Sequence, residues 1–167
     1  MAFKQTDIRN ISASAVKLIS DDWALVTTCA EGRKNTMTVS WGGLGELWGR
    51  DVAFLFIRPQ RYTYELLEKS EWLSVSFFGG EHKKEMMFCG RNCGRDTDKF
   101  SATGFTTVEL DGVPCVEQAK VNLICRKIAF QDLNPAGFLD ETIENEYKNH
   151  DYHRVYVVQI VKTYIGE

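Results

Sequence analysis

Two arginines, a threonine and a row of hydroxyls are the side chains in this sequence best suited to hold a ligand. Arg58-Pro59-Gln60-Arg61-Tyr62-Thr63 brings two guanidinium groups to the point where a strand gives way to a short amphipathic segment, Tyr64 to Lys69. Pro59 ends the strand and Thr63 is a good helix cap, so its hydroxyl, the following amides and the helix dipole face an anion together. Arginine grips phosphate bidentately, which makes a phosphate monoester the expected anion. The plainer alternative is a capped surface helix carrying two solvated arginines. Upstream, Thr36, Thr38 and Ser40 alternate with Met37, Val39 and Trp41, the period of a strand with one polar and one apolar face. The hydroxyls can meet the edge of a flat ring while the other face packs inward. Gly42, Gly43 and Gly45 let backbone approach a ligand closely. Trp41 and Trp48 are candidates to wall the ring, although tryptophans beside a glycine turn also serve core and interface.

The elements that must position these groups are mostly strands. Trp23 to Cys29 and Asn35 to Trp41 form a hairpin across a turn at Glu31-Gly32-Arg33-Lys34. Asp51 to Ile57 is apolar enough for burial on both faces, Trp72 to Phe78 alternates, and Gly79-Gly80 breaks the sheet. Phe105 to Leu110, Val113 to Val116, Val121 to Ala129 and Val155 to Tyr164 add strands, with a turn at Asp111-Gly112, for a total of about seven or eight. The spacing of Ile8, Ile11, Ala15, Leu18 and Ile19 predicts an N-terminal helix over 1–22, packed on the barrel. His82 to Phe88, Asp96 to Ala102 with Asp96 as cap, and the acidic stretch Phe138 to Tyr147 are expected to be helical.

Bulk properties narrow the class. A chain of 167 residues with 44% hydrophobic content buries a real core, and no repeat or linker divides it, so one domain over 1–167 is expected. The net charge of −3 and the dispersed basic residues exclude the electrostatic footprint of a nucleic-acid binder. No apolar run approaches the roughly 20 residues of a membrane span, and Met1-Ala2-Phe3-Lys4-Gln5 lacks a signal-peptide core, so a cytoplasmic protein is expected. Cys29, Cys89, Cys93, Cys115 and Cys125 are odd in number and form no metal-ligand pattern with the three histidines; reduced thiols and no metal are expected. Cys89 and Cys93 are close enough to pair on a helix, but the usual redox spacing is Cys-x-x-Cys, and Gly90 and Gly94 argue against a regular helix there.

Three stretches in order, Asn35-Thr36-Met37-Thr38-Val39-Ser40-Trp41, Arg58-Pro59-x-Arg61-x-Thr63 and Gly94-Arg95-Asp96-Thr97-Asp98-Lys99-Phe100, resemble the successive motifs of the flavin reductase-like, FMN-binding split-barrel family, its flavoredoxin-type branch in particular. The resemblance runs from about Trp23 to the C-terminus. It implies a mainly β fold with peripheral helices, a Greek-key-like split β-barrel, and FMN held by Asn35, Thr36, Met37, Thr38, Val39, Ser40, Trp41, Arg58, Arg61, Thr63, Lys99 and His153. Lys99 is implied to reach the phosphate, the alternative being a solvated lysine beside Asp96 and Asp98. His153, with His150 behind it, introduces the last strand, where the family often places a histidine near the cofactor; an exposed loop pair is the alternative. The implied activity is hydride transfer from NADH or NADPH to flavin N5 and onward to free flavin or another acceptor, with no catalytic side chain required. A flavoredoxin-like electron carrier reduced by a partner protein is the alternative. A barrel that has lost flavin and binds another ligand, such as haem through His150 or His153, is a third. Split-barrel flavoproteins commonly build the site between subunits, so a homodimer is implied, and exposed strand edges and aromatics such as Trp41, Trp48, Tyr62 and Phe100 suit one.

Overall fold

The computed structural model describes residues 2–167. Ten strands and three α-helices follow one another in chain order. They are β1 (Phe3–Thr6), β2 (Ala24–Ala30), β3 (Arg33–Val39), β4 (Gly42–Leu47), β5 (Arg50–Ile57), α1 (Tyr62–Lys69), β6 (Trp72–Phe77), α2 (Lys83–Arg91), α3 (Lys99–Thr103), β7 (Thr107–Leu110), β8 (Val113–Val116), β9 (Val121–Asp132) and β10 (Arg154–Gly166). The main sheet runs β3-β2-β6-β9-β10-β5-β4, with β1 added alongside β10, and every pairing is antiparallel. It curls around its apolar face without closing, so β3 and β4 are its two ends, and the architecture is the expected split barrel, mainly β with helices outside.

The alternating residues that predict strands are those that fill the barrel. Val26, Met37, Val39, Leu55, Val75, Leu123, Tyr156 and Val158 pack as one core, and Leu67 of α1 closes its end. β2 is buried on both faces, because Leu25 points outward into a second cluster with Phe78, Met86 and Cys89 beneath α2. The β7–β8 hairpin covers a third, with Val113, Cys115 and Ile124.

Several elements differ from the sequence reading. The 1–22 segment is not one helix: β1 pairs with β10, and a 3-10 turn at Ile8–Asn10 and a short π-helix at Lys17–Asp21 follow. The apolar spacing there is real, since Ile8, Ile11, Leu18 and Ile19 pack on the barrel core, but Ser12 and Ser14 sit in the stretch that would have to be helical throughout. Met1 lies outside the described residues. The glycine-rich stretch after Trp41, expected to be a turn, is edge strand β4, and the turn is Trp48-Gly49, both at positive φ. α2 runs through Gly90, which packs against Thr38 of β3, so the glycine does not break the helix there. The cap of α3 is Asp98 rather than Asp96, accepting from the amides of Phe100 and Ser101. The acidic stretch 138–147 holds only a 3-10 helix, Glu141–Glu146, capped by Asp140. Among the described residues, no helix is long and apolar enough to cross a membrane.

Candidate functional site

The open side of β3 is a groove. β3 ends the sheet, so alternate residues turn N–H and C=O groups away from any strand partner. Three adjoining cavities follow this edge: one of about 170 Å³ at Met37 to Trp41, one of about 300 Å³ at Arg61 to Thr63 and Lys99, and one of about 680 Å³ at Arg33 to Asn35.

The middle cavity is cationic. Lys99 is 4% exposed, and its Nζ donates to the carbonyl of Thr36 at 2.8 Å and of Cys89 at 2.7 Å. Burial pushes its pKa down to about 8, with Arg61 adding to the depression. Arg61 donates to the Gly90 carbonyl at 2.7 Å. Among the described residues neither cation has a carboxylate within ion-pair distance. α1 starts here, but its cap is Arg61, not Thr63, and that cap makes no side-chain hydrogen bond. Thr63 is the second residue of the helix, buried, and its hydroxyl accepts from the Asn35 carboxamide at 2.9 Å. Asn35 in turn presses on Gly94, where any Cβ would overlap its carboxamide oxygen. The glycine of the third motif is thus fixed by the asparagine of the first.

The first cavity is aromatic. Trp41, Phe56 and His153 line it, with Arg58 and Arg61 at its margin. Trp41 and His153 rings lie 5.1 Å apart, and Phe56 meets His153 edge-on at 6.3 Å. His153 is buried, and desolvation, reinforced by Arg58, pulls its pKa down to about 4, which favours the neutral ring at pH 7. Its Nδ1 is 2.8 Å from the Tyr147 hydroxyl. If that hydroxyl donates, the ring proton sits on Nε2, a donor for the cavity. Arg58 is not free for a phosphate: it pairs with Asp151 at 2.6 Å, donates to the Glu146 carbonyl and lies over the Tyr147 ring.

The hydroxyl row is arranged differently from the expectation. Leu25 pairs with Thr38 and Thr27 with Thr36 in the β2–β3 register, so both threonines face outward beneath α2. Thr36 accepts from Thr27 at 2.9 Å and donates to the Val26 carbonyl, while Thr38 donates to the Met86 carbonyl. Met37 and Val39 belong to the barrel core yet also reach the cavity, and Ser40 lines it. Trp48 is 63% exposed in the β4–β5 turn, outside the groove, and His150 is an exposed loop residue bonded to Tyr152. Sequence reasoning missed Phe56, Tyr147 and Asp151. The short Tyr147-x5-His153 stretch with Asp151 inside it was the available signal. All five cysteines are free; burial raises the Cys89 thiol to about 11, and Cys93 borders the middle cavity. Among the described residues no cluster of His, Cys, Asp and Glu is arranged to hold a metal.

Solved structures with this fold include an FMN-binding domain of a flavin reductases-like enzyme from Shewanella baltica OS155 (TM-score 0.71, 14% identity, 98% of this chain and 77% of that one). Flavoredoxin from Methanosarcina acetivorans superposes with a TM-score of 0.66 at 19% identity, over 98% and 76% of the two chains. The styrene monooxygenase flavin reductase from Pseudomonas putida S12 gives 0.67 at 18% identity, over 91% and 83%. No curated protein sequence matches the chain significantly. The family model described as "Flavin reductase like domain" matches residues 17–167, and with nine-tenths of its length so covered, this chain belongs to the flavin reductase-like domain family.

Proposed function

We propose that the groove binds FMN, with the phosphate in the middle cavity and the ring in the aromatic one, and that the protein is an oxidoreductase of the flavin reductase type using NADH or NADPH. The observation that carries this reading is Lys99, a buried cation 4% exposed with only carbonyls for partners. A buried charge needs a counter-charge, and the one missing from the chain is what a phosphate dianion supplies. The residues present fit the group. Lys99, Arg61 and the first amides of α1 at Tyr62 and Thr63 hold the phosphate. Asn35 fixes Thr63, and Thr36 fixes Lys99, so both act on the phosphate through a neighbour. Met37, Thr38, Val39 and Ser40 offer the open backbone edge of β3 to the ring's polar rim, Trp41 and Phe56 wall it, and His153 presents a neutral donor. Arg58, paired with Asp151, closes the margin of the aromatic cavity and brings guanidinium N–H donors near the ring.

When bound, FMN supplies the hydride-accepting chemistry at its N5. The chain binds, orients and excludes water, and no acid or base side chain is needed. The full domain is read as 1–167, with β1 and the segment up to Asp22 packed on the barrel. A homodimer is part of the proposal, supported by Trp41 at 44% and Trp48 at 63% exposure and by free sheet ends at β3 and β4. The test is to titrate the purified protein with FMN and riboflavin, then mix the FMN-loaded form with NADH or NADPH and follow flavin absorbance. FMN preferred over riboflavin and reduced within seconds supports the reading. Equal affinities overturn the phosphate assignment, and binding without reduction favours a flavoredoxin-like carrier served by a partner protein. Sedimentation of a monomer with FMN bound refutes the dimer.

A further inference from the structure

One phenol stands behind the histidine of the aromatic cavity. Tyr147 follows the 3-10 helix Glu141–Glu146, its amide donating to the Glu144 carbonyl at 2.9 Å, and it is 4% exposed. Phe138 stacks on its ring at 6.0 Å and the Arg58 guanidinium lies over it at 5.1 Å, which hold the ring in place. Burial raises the pKa of the hydroxyl, so it keeps its proton. A buried hydroxyl must direct that proton at an acceptor or leave it unsatisfied. Among the described residues its sole hydrogen-bond partner is His153 Nδ1, 2.8 Å away. If Nδ1 carried hydrogen, the hydroxyl would accept from it and its own proton would have nowhere to go. The hydroxyl therefore donates, Nδ1 accepts, and the one proton of the neutral imidazole sits on Nε2. Nε2 makes no hydrogen bond among the described residues and is not sealed from solvent, and the ring it belongs to lines the cavity with Ser40, Trp41 and Phe56.

We propose that Tyr147 is a positioning residue that locks His153 in its Nε2–H tautomer, so that the aromatic cavity meets its ligand with a fixed donor and selects a flat ring whose edge offers a nitrogen or carbonyl acceptor there. The identity of the ring rests on the flavin reading; the tautomer does not. Without the phenol the two neutral tautomers interconvert, and the Nδ1–H form turns a bare lone pair on Nε2 towards the same ring atom. Two acceptors then face each other, which costs affinity. The contact is with the ring, so riboflavin and FMN lose equally, unlike a loss at Lys99 or Arg61, which falls on FMN alone.

Nitrogen-15 spectra of the ligand-free protein, labelled at histidine, read the tautomer of each of the three imidazoles, and His153→Gln assigns the signal. Wild-type His153 is expected to carry hydrogen on Nε2 with a bare Nδ1; hydrogen on Nδ1 overturns the proposal. Tyr147→Phe keeps the ring that Phe138 and Arg58 touch and removes only the hydroxyl. It is expected to give a mixture of tautomers and, by calorimetric titration, to weaken riboflavin and FMN by the same factor, roughly two- to tenfold. In a His153→Gln background, whose amide has no tautomers, adding Tyr147→Phe is expected to change flavin affinity by less than about twofold. A single Nε2–H tautomer kept in Tyr147→Phe, or flavin affinities equal to those of wild type, overturns the positioning role. So does the same loss repeated in the glutamine background, which makes Tyr147 a packing residue only. Wild type that binds neither flavin overturns the flavin reading, while the nitrogen spectra decide the tautomer lock independently.

Discussion

Replacing Lys99 by glutamine removes the charge at the centre of the groove while keeping a donor for the Thr36 and Cys89 carbonyls. Burial lowers the lysine pKa from 10.5 to about 8, and each unit is about 1.4 kcal/mol, so holding the cation in the ligand-free protein costs roughly 3 kcal/mol. Lys99→Gln is therefore expected to leave the ligand-free protein as stable or more so. Its effect falls on the phosphate, where loss of a charge-assisted hydrogen bond costs about 1.5 to 3 kcal/mol, or roughly tenfold to 150-fold in FMN affinity. Riboflavin, lacking the phosphate, is expected to bind wild type and variant alike. The pH dependence has a definite sign. The free protein carries the lysine charge in full below about pH 8 and loses it above, while the FMN phosphate, with a second pKa of about 6, stays dianionic. Wild-type FMN affinity is thus flat from pH 7 to 8 and then falls by up to about tenfold per unit until the pKa of the bound state is reached. Calorimetry at pH 7.0, 8.0, 9.0 and 9.5 with both flavins measures this. An FMN affinity flat across the range, or a variant that binds FMN as wild type does, refutes the argument.

Three further outcomes follow from the geometry. Gly94→Ala forces a methyl into the Asn35 carboxamide and breaks its link to Thr63; a loss of about 1 to 3 kcal/mol is expected, and an unchanged thermal melt refutes it. His153, with its pKa at about 4 against an unfolded value near 6.5, remains neutral from pH 5 to 8. Stability is present above pH 6.5 and declines as pH falls towards 4, by up to roughly 3 kcal/mol; imidazole proton shifts that titrate above pH 6 contradict this. Thr38→Val removes the bond to the Met86 carbonyl beneath α2, so it is expected to cost about 1 to 2 kcal/mol without changing the bound-flavin spectrum, whereas Ser40→Ala, at the cavity wall, is expected to alter the spectrum. The reverse pattern places the ring on the hydroxyl face after all.

The strands were legible because each alternates against the core, and the cationic character of the middle cavity was legible because arginine and lysine carry their charge wherever they lie. Less visible was which side of β3 opens on the groove. Alternation marks two faces of a strand, but Thr36 and Thr38 are covered by α2, and what the groove uses is the strand's edge, which has no side-chain signature. Arg58 misled for a related reason, since its neutralising partner Asp151 is 93 residues away in the chain. The N-terminal segment misled because β1 exists only by pairing with the far end of β10, an interaction that no local period encodes.

An occupant of the groove covers the row of backbone donors and acceptors along β3 that would otherwise template a foreign strand. Ligand loading then doubles as a solubility device. On the proposed flavin reading, chains made faster than the cofactor is supplied are the population open to edge-to-edge association, and supplementing the medium with riboflavin is expected to raise the soluble yield.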